Sequence, residues 1–94
     1  MKVKKHDPFV KVKANFWDEK CDSYREFEYT ITFSDWTSEP QITYDIRDYL
    51  TLHYGNSVTN SINYCWDIQY IPEDNNLVFY ILNEEILTGV LLIC

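Results

Sequence analysis

Apolar and polar residues alternate over residues 9–17. Val10, Val12, Ala14 and Phe16 point one way and Lys11, Lys13 and Asn15 the other, which predicts a β-strand covered on one face. The same period returns over residues 25–33, where Phe27, Tyr29, Ile31 and Phe33 oppose Glu26, Glu28, Thr30 and Thr32. A turn over residues 21–23 would join the two strands as a hairpin. It would set Val10 across from Phe33, Val12 from Ile31 and Phe16 from Phe27, with Lys13 diagonally near Glu28.

The period then lengthens. Ser38, followed three residues later by Gln41, fits a capping box, and Glu39 and Pro40 suit a first helical turn. Ile42, Ile46, Tyr49, Leu50 and His53 recur at the offsets of a buried helical stripe, and Gly55 with Asn56 supplies a stop, so a helix is expected over residues 38–54. Thr43, Tyr44 and Thr51 lower its intrinsic propensity, which leaves tertiary packing to hold it.

Alternation resumes with Ile62, Tyr64, Trp66, Ile68 and Tyr70 against Ser61, Asn63, Cys65, Asp67 and Gln69, a long strand with one polar face. Residues 72–76, Pro-Glu-Asp-Asn-Asn, form a turn. Residues 77–82 are apolar throughout and read as a strand covered on both faces. Glu84 and Glu85 interrupt, and residues 86–94 return as a last strand or a short helix. The β-branched Ile86, Thr88, Val90 and Ile93 favour strand, with Gly89 at a bulge. The expected fold is an α+β domain over residues 1–94, with a basic leader at 1–8. It would hold an antiparallel sheet of about five strands in the order ββαβββ, with one helix on one face.

Composition changes the picture in two ways. At 94 residues, 46% hydrophobic and 17% aromatic, the chain has enough apolar area to fold but room for only one core. Its net charge of -7 is unevenly spread: residues 1–13 carry five Lys against one Asp, a local +4, whereas residues 14–94 carry Lys20, Arg25 and Arg47 against fourteen acids, a local -11. The body is strongly acidic. Lysines on an edge strand and acids on a small domain serve solubility, but an acidic face also attracts a basic partner.

No apolar run of signal-peptide length follows the basic residues 2–5, and residues 86–94 are too short to cross a bilayer. Cys21, Cys65 and Cys94 are odd in number and scattered, and no Asn-x-Ser/Thr triplet occurs. A reducing, cytoplasmic setting is expected, without membrane contact.

Groups for catalysis are few. His53 falls on the helical stripe, where a hydrogen-bonded core or boundary imidazole is the simpler role, and His6 lies in the basic leader. No local signature pairs a Cys with a His, and no Cys-x-x-Cys or His-x-x-x-His pair offers a metal site. Asp45 and Asp48 lie one turn apart without a calcium loop, and Gly55 and Gly89 belong to no phosphate-binding fingerprint. No enzyme activity, metal or cofactor is expected. Direct nucleic-acid binding is opposed by the acidic body, the lysine leader with Phe9 and Trp17 being the one route to it.

Acids interleaved with aromatics stand out instead. Trp17, Asp18, Glu19, Asp22 and Tyr24 cluster at the expected hairpin tip, Glu26 and Glu28 follow on one strand face, and Asp35 with Trp36 repeats the combination ahead of the helix. Such rings anchor interfaces while carboxylates steer and pair with a partner's Arg and Lys. These residues are the candidate partner-binding set. The expected partner is a basic protein or nucleoprotein complex, and the chain either stays monomeric or forms a homodimer.

In size, charge and its acidic aromatic hairpin the chain resembles the small acidic proteins that phages use against host defence, including anti-CRISPR and anti-restriction inhibitors. It is similar in broad style to toxin-neutralising immunity proteins. The resemblance implies a non-enzymatic inhibitor that blocks a basic nucleic-acid site. The other reading from the residues is an assembly subunit that pairs through a C-terminal strand.

Overall fold

A computed structural model describes residues 1–13, 24–38, 40–55 and 65–93. Four strands and two helices follow in the order β1 (Lys2–Lys13), β2 (Tyr24–Phe33), α1 (Pro40–Tyr54), β3 (Trp66–Ile71), β4 (Asn76–Ile81) and α2 (Glu84–Ile93). The strands form one antiparallel sheet in the spatial order β1-β2-β4-β3. The α+β class is as expected, but the described sheet has four strands rather than five and the last element is a second helix.

β4 sits between β2 and β3, which explains its unbroken apolar run: Leu77, Val78, Phe79 and Ile81 are all buried. The turn at residues 72–75 leads into it, with Asn75 at φ 52°, a left-handed conformation that Asn tolerates. Tyr29, Ile31 and Phe33 of β2 and Leu77, Phe79 and Ile81 of β4 meet Ile46 and Leu50 of α1 and Ile86, Leu87 and Val90 of α2 in the main core. Phe33 meets Phe79 edge to face at 6.0 Å, and the Trp66 indole N–H donates to the Gly55 carbonyl at 2.8 Å, tying β3 to the end of α1. Gly55 itself, at φ 82°, ends α1 where the sequence placed the stop.

The hairpin register differs from the expected one. β1 starts at Lys2, so most of the segment read as a basic leader is strand, and Val3 lies opposite Ile31 while Val10 lies opposite Phe27 and Val12 opposite Arg25. The pairing closes at Lys13 opposite Tyr24, with residues 14–23 between them, and its register shifts between Lys5 and Val10. Phe16 and the side chain of Lys13 lie outside the described residues, and Glu28 pairs with Lys5. Alternation alone could not reveal the shift, because a strand pattern carries no information on how far two strands have slid.

Side chains of β2 also divide between the two faces of the sheet. Phe27 packs against the Tyr80 ring at 5.7 Å, and Arg25 pairs with Asp67. Tyr80 and Asp67 alternate with the core residues Phe79, Ile81 and Trp66, so they point to the side of the sheet away from the helices. Arg25 and Phe27 are therefore on the second face, whereas Tyr29, Ile31 and Phe33 are on the helix face.

α1 begins at Pro40, after a single 3-10 turn at Trp36–Ser38. The expected capping box is not made: the Ser38 hydroxyl donates to the Asp35 carbonyl and the Gln41 amide to Asp45. Its buried residues are Thr43, Ile46 and Leu50. Thr43 can be buried because its hydroxyl donates to the Pro40 carbonyl at 2.7 Å, and Ile42, expected in the core, is 38% exposed. His53 is exposed rather than in the core or at its boundary, and lies against the Tyr49 ring.

α2 corrects the strand expected at the C-terminal end. Asn83 caps it, its side-chain oxygen accepting from the Ile86 N–H at 3.0 Å, and Glu84 and Glu85 complement the helix dipole in the first turn. Ile86, Leu87 and Val90 then share one buried helical face, which outweighs the strand preference of the β-branched residues.

Gly89 marks no bulge but a close helix contact: a Cβ there would collide with the Tyr49 hydroxyl oxygen and lie 3.1 Å from Tyr49 Cζ. Gly89→Ala is thus expected to lower the melting temperature even though alanine favours a helix interior by about 1 kcal/mol. Adding Tyr49→Phe should recover part of the loss. Thermal unfolding by circular dichroism checks both, and a Gly89→Ala protein at least as stable as the wild type would mean the Tyr49 ring swings aside freely.

Candidate partner-binding site

Asp35 and Trp36, two of the residues singled out in the sequence, lie in a corner built from three elements. Beyond Phe33 the chain turns through Asp35, at φ 50°, and Trp36 starts the short 3-10 turn ahead of α1. Asn75, from the β3–β4 turn, ties this corner together. Its carbonyl accepts from the Trp36 N–H at 3.3 Å, and its side-chain amide donates to Asp35 Oδ1 at 2.7 Å and Thr37 Oγ1 at 3.0 Å. Its side-chain oxygen accepts from the Tyr70 hydroxyl at 2.9 Å.

Three rings meet there. Trp36 lies 6.4 Å from Tyr44 of α1 and 6.2 Å from Tyr70 of β3, nearly perpendicular to both. Trp36 is half-buried, and its indole N–H has no acceptor among the described residues; Tyr44 and Tyr70 are 41% and 49% exposed. The Arg47 guanidinium lies 5.0 Å above the Tyr44 ring, a cation–π contact. Asp35, Asp45, Glu73 and Asp74 are exposed on these same turns and the same helix. Among the described residues no Lys or Arg lies within ion-pair distance of any of them, whereas Asp48 has Arg47 at 3.7 Å.

The acids of β2 are placed differently. Glu26 lies 3.9 Å from Lys11 and Glu28 3.6 Å from Lys5, so lysines of β1 offset them. They lie seven and five residues before Phe33 on β2, about 23 and about 17 Å along the strand from it. The structure therefore brings Asp35 and Trp36 together with Tyr44, Tyr70 and Asn75, but not with Glu26 and Glu28. Trp17, Asp18, Glu19 and Asp22 lie outside the described residues, as does the side chain of Tyr24, whose backbone pairs with Lys13.

Tyr70 and Asn75 were missed as site residues. Asn75 was legible as a turn residue, but nothing local connects it to Asp35, 40 positions away.

The second face of the sheet carries a separate polar group. Arg25 and Asp67, both buried, form an ion pair across β4, and the Tyr80 hydroxyl donates to Gln69 Oε1 at 2.6 Å. Burial pushes the Asp67 carboxyl above its ordinary range, opposed by the Ile68 N–H and by the Arg25 charge. Burial and then the Asp67 charge raise the Tyr80 phenol. His6, in contact with the Thr30 hydroxyl at 2.9 Å, is lowered by burial and by Lys4.

Cys65 is half-buried against the core, and Cys21 and Cys94 lie outside the described residues. Among the described residues no three His, Cys, Asp or Glu side chains gather as a metal site, and no helix is long and apolar enough to cross a membrane. No protein-family model, curated protein or solved structure matches the chain.

Proposed function

We propose that the protein is a small non-enzymatic inhibitor that binds a nucleic-acid-processing protein or complex and blocks its basic nucleic-acid site, in the manner of phage anti-defence proteins. The observation that carries this reading is the corner of Trp36, Tyr44 and Tyr70, rimmed by Asp35, Asp45, Glu73 and Asp74. Rings at the centre and charges at the rim are the anatomy of an interface hot spot. Because lysines offset Glu26 and Glu28, the corner is the strongest concentration of uncompensated acid among the described residues. The acids draw in a basic groove from a distance, and the rings hold it by burying area.

The immobilised protein should retain nucleic-acid-binding proteins from a cell extract and release them when double-stranded DNA is added in excess. Changing Asp45, Glu73 and Asp74 together to Lys should slow association, most at low salt, because screening acts beyond about 8 Å at physiological ionic strength. Trp36→Ala should instead speed dissociation, about thirtyfold for a loss of about 2 kcal/mol. Retained proteins indifferent to DNA, with association unaffected by the acid reversal, would remove the basis for this reading.

A second reading, assembly by self-association, is favoured by Leu91, Leu92 and Ile93 of α2, which are 40%, 81% and 42% exposed. It would act through a helix rather than a strand. A solution mass that is oligomeric at low and high salt supports it, and a monomer supports the inhibitor.

A further inference from the structure

Resting on the corner as a partner-binding site, we propose that it is shaped to take one arginine side chain of the partner, with the guanidinium laid on the exposed Tyr70 ring and donating to Asp35 Oδ2. Three independent features converge on this. The Asp35 carboxylate is held in place, because Oδ1 accepts from the Asn75 amide at 2.7 Å and from the Thr37 hydroxyl at 3.2 Å, while Oδ2 has no donor among the described residues. A fixed carboxylate with an open oxygen is a preorganised acceptor.

Tyr70 is held by the same residue. Its hydroxyl donates to Asn75 Oδ1, so that one Asn75 side chain bridges Tyr70 and Asp35, and the ring is 49% exposed. Finally, the corner already accommodates a guanidinium: Arg47 lies over Tyr44 on another flank of Trp36, at 5.0 Å. Tyr70 offers a second ring of the same kind, and Glu73 and Asp74 in the adjoining turn add the negative field that a second cation requires. Arginine fits better than lysine, because its flat fork can stack on a ring and donate sideways at once, whereas an ammonium cannot do both.

The test uses the whole protein and three blocked glycine-rich peptides, identical except for one central Arg, Lys or citrulline, titrated at low salt and followed by amide NMR shifts. The arginine peptide should shift Asp35, Trp36, Tyr70 and Asn75. The lysine peptide should bind about fivefold more weakly and the uncharged citrulline peptide should not saturate. Asp35→Asn keeps an oxygen for the Asn75 and Thr37 donors and tolerates the left-handed backbone, so the fold is retained. It should weaken the arginine peptide about tenfold. Tyr70→Leu should bring arginine down to the level of lysine.

Equal affinity for arginine and lysine, an unchanged Asp35→Asn, or shifts centred away from Tyr70 would overturn the proposal. Failure here is separable from failure of the inhibitor reading. Arginine bound at Tyr70 while extract proteins ignore DNA keeps the arginine site and removes the inhibitor. DNA-sensitive retention that Asp35→Asn leaves intact does the reverse.

Discussion

An Ile46→Asp protein is expected to have no cooperative unfolding transition at 25 °C. Ile46 is fully buried in the core between α1 and the sheet. Losing its side chain would cost about 2–5 kcal/mol, and placing a carboxylate there adds the penalty of an unpaired buried charge. The sum reaches the whole stability of a typical domain, about 5–15 kcal/mol. Ile42→Asp, one turn earlier on the same helix, is the control. Ile42 is 38% exposed, so that variant should stay folded and lose about 1 kcal/mol at most. Circular dichroism melting curves of the two variants check the orientation of α1. A soluble Ile46→Asp protein with an unchanged melting temperature would show that the helix presents a different face.

The second large effect is expected at the ion pair on the other side of the sheet. Arg25→Met removes the cation and leaves the Asp67 carboxylate buried beside Tyr80, a loss of about 3–5 kcal/mol at neutral pH. The pH dependence has a definite sign. A carboxyl whose folded pKa is raised contributes stability that is complete below its unfolded pKa and is lost as pH rises through the folded one. Burial already raises Asp67, and removing Arg25 takes away one of the two influences that oppose it. The deficit of Arg25→Met should accordingly be small near pH 4 and grow toward neutrality. Combining Arg25→Met with Asp67→Leu should recover most of the loss, since an apolar pair of similar volume carries no desolvation cost. Urea unfolding at several pH values measures all of this. A pH-independent deficit would mean that Arg25 acts through packing, including its contact over the Phe27 ring at 5.9 Å, rather than through its charge on Asp67.

Much of the fold was legible because it depends on neighbours in the chain. The strand over residues 25–33, the apolar run of β4, the turn after Pro72 and the Gly55 stop each rest on a short window of residues, and each is found where it was expected, although Phe27 leaves the face it was expected to share with Tyr29, Ile31 and Phe33. Helix α1 was legible in extent but rotated in face. Ile42 and Thr43 are adjacent and compete for the same buried position, and the hydroxyl bond to Pro40 lets the polar residue take it. At the C-terminal end the β-branched residues pointed one way and the cap Asn83 with Glu84 and Glu85 the other. The docking of Ile86, Leu87 and Val90 onto the core resolves that conflict.

The candidate site divides along the same line. Acid beside aromatic at Asp35-Trp36 is a local pattern and was read directly. What the acids of β2 face was not, because it depends on a register shift between Lys5 and Val10 that puts Lys5 near Glu28 and Lys11 near Glu26. Nor was the place of Arg25 and Phe27 on the second face, where a partner 42 residues away waits for Arg25 in Asp67. Tyr70 and Asn75 join Asp35 only because β3 and β4 fold back as a hairpin beside β2. Periodicity and turn chemistry act over a few bonds and can be read from the chain, whereas sliding between strands and the meeting of turns depend on which distant surfaces bury best together, and that is settled only when the sheet and helices pack.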